Sequence, residues 1–203
     1  RKLKGREQVK VICMDLSSPF RSVVQRLFPR AKIVADRFHV IRPIIDTFHE
    51  FCKAVDPEIK WKRGITCALR TKGVSLRPAQ RLLLEKEFSR HPAIQTAYDF
   101  KEELCTLLSI KERKRVNCMP LLERLKEMVW QMLHEAPEIF KKLGRTIRQW
   151  FEPIIRMWRF TKSNGITEGF HRKMKLIQRR AYGYRNFQNY RLRVLMECGH
   201  IVI

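Results

Sequence analysis

A chain of 203 residues with 44% hydrophobic side chains is long enough to bury a core and too apolar for a disordered basic tail. Its 43 Lys and Arg against 20 Asp and Glu leave a net charge of +23. That excess excludes an ordinary mixed-sign surface and requires a polyanionic partner, with nucleic acid ahead of an anionic membrane or a heparin-like polymer.

The chain opens on Arg1 with a basic stretch that runs straight into a strand, so it is expected to continue upstream. Val9–Met14 is an apolar, β-branched run interrupted only by Lys10 and predicts a buried strand, with Asp15 at its C-terminal edge. Ser17 or Ser18 can cap the following helix, with Pro19 in its first turn, Phe20, Val23, Val24 and Leu27 on its apolar face, and Pro29 as its stop. Ala31–Ala35 predicts a second strand ending at Asp36, and Ile41, Ile44, Ile45, Phe48, Phe51 and Cys52 mark a second helix. Strand–helix–strand–helix over residues 9–55 favours a parallel pair with a right-handed crossover.

Residues 56–160 are mostly helical by periodicity, with helices near 78–90, 92–110, 119–134 and 145–160 and prolines 78, 92, 120 and 137 at or near their starts. Leu121, Leu122, Leu125, Met128, Val129 and Met132 form a stripe expected in the core. The basic link Lys111–Arg115 joins two helices as a solvated loop or a phosphate contact. Two further helices follow. Phe170, Met174, Ile177 and Ala181 share one face of the first, and Glu168, Arg172, Lys175 and Arg179 share another. A turn at Tyr182–Asn186 leads to a basic helix ending near Glu197. From Gly169 to Met196 there are eight Lys or Arg and no acid, so Glu168 stands alone at the head of a basic stripe.

The six cysteines form no Cys-x-x-Cys pair, which argues against a zinc ribbon or finger and for reduced, mostly buried thiols. Cys198-Gly-His200 is an isolated pair of potential ligands. The sequence has no secretory signal and no apolar run of about 18 residues, so a cytoplasmic location and no membrane partner are expected.

Phosphodiester chemistry needs charge neutralised on the attacked phosphate and an activated oxygen nucleophile. Two divalent ions about 3.5–4 Å apart supply both. The expected mark is a few acids, distant in sequence, at strand ends and helix starts. Asp15, Asp36 and Glu168 all meet it. Each also has a plainer reading: Asp15 as a turn or cap residue, Asp36 paired with Arg37, Glu168 paired with Arg172, and His39 as a structural histidine. By position alone Asp15 and Asp36 are equivalent, since both end strands.

Three ordered blocks carry a resemblance: Val11-Ile-Cys-Met-Asp15 with Phe28-Pro-Arg-Ala31; Asp36-Arg-Phe-His39-Val; and Ser163-Asn-Gly-Ile-Thr-Glu168-Gly-Phe-His-Arg-Lys-Met-Lys175 running into Arg180-Ala-Tyr-Gly-Tyr-Arg-Asn-Phe187. Over nearly its whole length the chain resembles the DDE transposases of bacterial insertion sequences, in the group with a large helical insertion. The resemblance implies an α/β fold, mostly helical overall. Residues 1–55 would be part of an RNase H-like core with two parallel strands retained, 56–160 the helical insertion, and 161–203 the C-terminal core helices with the catalytic Glu. It implies DNA transposition by metal-dependent cleavage and strand transfer, with Mg2+ or Mn2+, DNA as partner, a homo-oligomer in the active complex and no small-molecule substrate.

By position the resemblance makes Asp15 the second catalytic acid and Glu168 the third, both metal ligands, with Asp36 and His39 in support. Arg172, Lys173, Lys175, Arg179, Arg180 and Arg185 are the expected DNA contacts. The family's first acid lies on an earlier strand that matches nothing here, so the 203-residue chain is expected to be a C-terminal portion, inactive alone. Family members often carry Asn where Phe170 and His171 stand. The alternative is a non-catalytic DNA-binding remnant or a regulator of an intact transposase.

Overall fold

The computed structural model describes residues 5–112, 114–160 and 165–199. They fall into two compact units, Arg1–Lys162 and Ser163–Ile203. In the first unit, β1 (Val11–Met14) and β2 (Lys32–Ala35) pair in parallel through the helix α1 (Ser18–Leu27), with Val11 opposite Lys32 and Met14 opposite Ala35. The first strand starts two residues later than expected because a 3-10 turn at Arg6–Gln8 takes Val9 as its C-cap. Ile33, Val34 and Ala35 are buried, as a strand covered on both faces requires. β1 is only half-buried before Met14, and among the described residues no further strand pairs with it.

Only part of the apolar face of α1 reaches the core. Val24 packs inward, whereas Phe20, Val23 and Leu27 are exposed. The long helix α2 (Arg37–Val55) buries Val40, Ile44, Phe48 and Cys52, a four-residue repeat along one face. It packs chiefly on α5 (Pro92–Ser109).

Between them lie a 3-10 helix at Pro57–Trp61, α3 (Arg63–Arg70) and α4 (Pro78–Arg90). Pro78 and Pro92 start their helices, where a missing N–H costs nothing. In α6 (Cys118–His134), Leu125, Met128, Val129 and Met132 are buried, with Leu121 and Leu122 at the core's margin.

The helix expected over 145–160 is two helices, α7 (Glu138–Gln149) and α8 (Phe151–Arg159), broken at the buried Trp150. The cause is Pro153. It has no N–H to offer the carbonyl of Gln149, so the helical ladder cannot pass that point. Arg21 Nη1 meets that carbonyl instead, at 3.2 Å.

Two apolar clusters result. The larger joins Ile33, Val34 and Ala35 to residues of α2 and α5–α8, including Leu108, Met128, Trp150 and Trp158. The smaller gathers Phe48, Cys52, Ile59, Ile65, Leu69, Leu84, Ile94 and Tyr98 around α3 and α4. The second unit is a helical hairpin, α9 (Gly165–Arg180) and α10 (Phe187–Cys198). Its turn needs a left-handed backbone at Tyr182 (φ 51°) and Gly183 (φ 100°), and the Gly183 N–H closes α9 on the carbonyl of Gln178.

Candidate active site

Parallel pairing of β1 and β2 delivers two acids to one sheet end. Asp15 directly follows Met14 and Asp36 directly follows Ala35, and those two residues are register partners. Asp36 stays in the ladder through its N–H to the carbonyl of Met14, at 2.8 Å. Its carboxylate is the N-cap of α2 and accepts from the Phe38 N–H at 3.3 Å. Asp36 is 3% exposed, whereas the Asp15 side chain is 47% exposed. One acid is therefore committed to the helix start and the other is open to solvent.

The first turn of α2 brings the third group. His39 Nε2 lies 3.3 Å from Asp15 Oδ1, and the His39 ring meets Phe38 edge-on at 5.3 Å. One donor atom from each of Asp15, Asp36 and His39 fits within 4.8 Å. The negative character of this corner shows on Cys13, whose thiol is pushed up to about 11 by burial and by the charges of Asp36 and Asp15.

Arg37 does not pair with Asp36. Its Nη2 donates to the carbonyls of Ile110 and Met157, at 3.3 and 3.2 Å. Those carbonyls lie just past α5 and near the end of α8, so Arg37 ties the start of α2 to both helices. Burial lowers its pKa below the ordinary arginine value. Two more bonds fix the frame: Trp158 Nε1 donates to the Leu107 carbonyl at 2.9 Å and Arg156 Nη1 to the Ile33 carbonyl at 3.2 Å. Sequence reasoning missed this role of Arg37. The only signal was its place inside the Asp36–His39 block.

Glu168 lies in the first turn of α9 in the second unit and is half-buried. Ser163 and Asn164 of the same block lie outside the described residues, as does His200. Arg172, Lys173, Lys175, Arg179, Arg180 and Arg185 are all exposed. Lys173 Nζ donates to the carbonyl of Glu197 and so also ties α9 to α10. Tyr182 and Phe187 add exposed aromatic faces beside the basic turn. Aromatic rings among cations are the combination that stacks bases while holding phosphates.

Among the described residues no cysteine is in a disulfide. Cys52 and Cys105 are buried, Cys13, Cys118 and Cys198 half-buried, and Cys67 exposed. Among the described residues no helix is long and apolar enough to cross a membrane.

Two acids at the C-terminal end of parallel strands, backed by helices, place the candidate site where open α/β sheets bind their ligands. Residues 1–194 match the family model DDE_Tnp_ISL3, described as Transposase, and the chain belongs to this transposase family. It is 23% identical over 202 residues to the transposase for insertion sequence element IS1001 of Bordetella parapertussis, covering 93% of this chain and 47% of that protein. It is 26% identical over 121 residues to an ATP-dependent protease of Lactococcus lactis subsp. lactis, covering 60% of this chain and 36% of that protein. The chain thus spans less than half the length of either relative. No solved structure matches it. The mostly helical architecture with its two parallel strands is consistent with part of an RNase H-like transposase domain.

Proposed function

We propose that this chain is part of the catalytic region of a DDE transposase, which cuts the ends of an insertion sequence and joins them to target DNA. The observation that carries the reading is the convergence of Asp15, Asp36 and His39 at one sheet end in a chain of this family. Asp15 and Glu168 are the acids we assign to metal-dependent catalysis, and Asp36 and His39 the residues that shape the site. The accessible Asp15 carboxylate at the strand end offers the oxygen donor that a divalent cation such as Mg2+ prefers, with Asp36 and His39 beside it. Mg2+ or Mn2+ held there would neutralise charge on the scissile phosphate and lower the pKa of an attacking hydroxyl.

The protein's own residues do the rest. Asp15 offers oxygen ligands at the open face. His39, against Asp15 Oδ1, orients that carboxylate. Asp36, capping α2, holds His39 in the first turn where it reaches Asp15. The exposed cations of α9 and the Arg185 turn hold phosphates of bound DNA. The helices of 56–160 act as an insertion that supports the strands, and the active complex is a homo-oligomer. The family's first acid has no counterpart among the matched blocks, and we propose that the 203-residue chain alone binds DNA without cutting it.

The test uses a longer transposase chain that contains these residues, with DNA carrying the element's ends. Asp15→Asn and Glu168→Gln are each expected to abolish Mg2+-dependent cleavage while leaving DNA binding intact. Arg172→Ala, Lys175→Ala and Arg179→Ala are each expected to weaken binding on all sequences and lower the salt slope by roughly one unit per lost phosphate contact. Cleavage that survives Glu168→Gln would remove Glu168 from the metal site, and binding with cleavage absent in every form would favour the non-catalytic reading.

A further inference from the structure

A second acid–histidine cluster lies in the helical region, built by residues the transposition chemistry does not use. Asp56 closes α2 and caps the 3-10 helix at Pro57–Trp61, accepting from the Glu58 N–H at 2.9 Å. Glu87 sits near the end of α4. His91 stands at the junction where α4 ends and α5 begins. One donor atom from each of the three fits within 4.8 Å. His91 Nε2 is 3.8 Å from Glu87 Oε1 and 4.0 Å from Asp56 Oδ2.

The independent observation is Glu87. The residue is 1% exposed, and its Oε1 is buried with no hydrogen-bond partner. An unmatched buried carboxylate oxygen is costly, and a native fold supplies it with a proton, a donor or a cation. Lys62 does not fill that role: its Nζ sits on Asp56 Oδ2 at 3.1 Å and on Glu58 Oε2 at 3.2 Å.

We propose that Asp56, Glu87 and His91 bind a divalent transition-metal ion of the Zn2+ type. Three atoms at these separations enclose a point about 2.2–2.5 Å from each, against ~2.0–2.2 Å for zinc bonds to nitrogen and oxygen. Closing the difference takes a few tenths of an ångström. The imidazole selects against Mg2+ and Ca2+, which prefer oxygen shells. The half-exposed His91 side chain, at 32%, opens the site to an ion and to a water as fourth ligand. The ion would join the end of α2, the 3-10 helix and the α4–α5 junction beside the smaller apolar cluster, as a staple for that subregion.

The 203-residue chain, stripped with chelator, is titrated with ZnCl2 or MgCl2 while its melting temperature and bound zinc are measured. Zn2+ in hundredfold excess over its Kd is expected to raise Tm by roughly 5–10 °C, with one ion bound per chain at this site and a much smaller effect of Mg2+. His91→Ala, at a half-exposed position, is expected to abolish the shift, and Glu87→Gln to reduce it at least tenfold in zinc affinity. Asp15→Asn, in the other cluster, is expected to retain the shift, which separates this site from the proposed catalytic one. No shift in the native chain, or an equal shift in His91→Ala, would overturn the proposal.

Discussion

Asp15 and Asp36 look alike in sequence, each ending an apolar run before a helix, yet they do different work. Asp36 is buried and spends its carboxylate on the Phe38 N–H, while Asp15 faces solvent with His39 against it. Helix capping is local chemistry and could be anticipated at either position. Which acid stays open depends on how far α2 and α1 start from their strands. Cys13 reports on the pair, because its ionisation would place a third negative charge beside them. Asp15→Asn removes one of the charges that raise this thiol's pKa. The thiolate fraction then increases, and Cys13 is expected to alkylate several-fold faster at about pH 8.5. The rate is followed by mass spectrometry of the Cys13 peptide. An unchanged rate would mean that burial and Asp36, without Asp15, set the thiol.

The elements of the first unit were mostly legible, because strand ends and proline-started helices are written in short windows. The boundary at Trp150 was not. Apolar spacing continues through it, and only the missing N–H of Pro153 marks the break. Arg37 was equally silent. Its charge and its neighbour Asp36 suggested an ion pair, but tertiary packing places two helix-end carbonyls within its reach. Arg37→Ala leaves the carbonyls of Ile110 and Met157 without that donor. It is expected to destabilise the chain by about 1–3 kcal/mol in urea unfolding. It should also loosen the start of α2, seen as faster amide exchange at Phe38 to Val40. A destabilisation below about 0.5 kcal/mol would show that water replaces the guanidinium without loss.

Across the whole molecule, buried acids of the thiol and phenol type set the alkaline limit. Burial pushes Cys13 and Cys105 up to about 11 and Cys52 and Tyr98 up to about 12, from ordinary values of 9.0 for thiols and 10.0 for tyrosine. All four shift upward, so the folded chain holds these protons after the unfolded chain has lost them. Stability is therefore full below pH 9 and falls as pH rises toward 11 and 12. The urea midpoint is expected to drop as pH rises from about 9 toward 11. Cys52→Ala should lower it at every pH while flattening that decline; an undiminished decline would place the titration elsewhere.

The sequence by itself determined the parallel strand pair, the acids at the two strand ends, the basic α9 with Glu168 at its head, and the transposase family. The first three are local patterns of side-chain period, capping or spacing, and the family follows from the resemblance of three ordered motif blocks, all readable without the fold. The tertiary structure decided what each acid does at its strand end, the Arg37 tie, and the meeting of Asp56, Glu87 and His91. Those depend on distances between residues up to 120 positions apart in the chain, which helix packing sets and no sequence window contains.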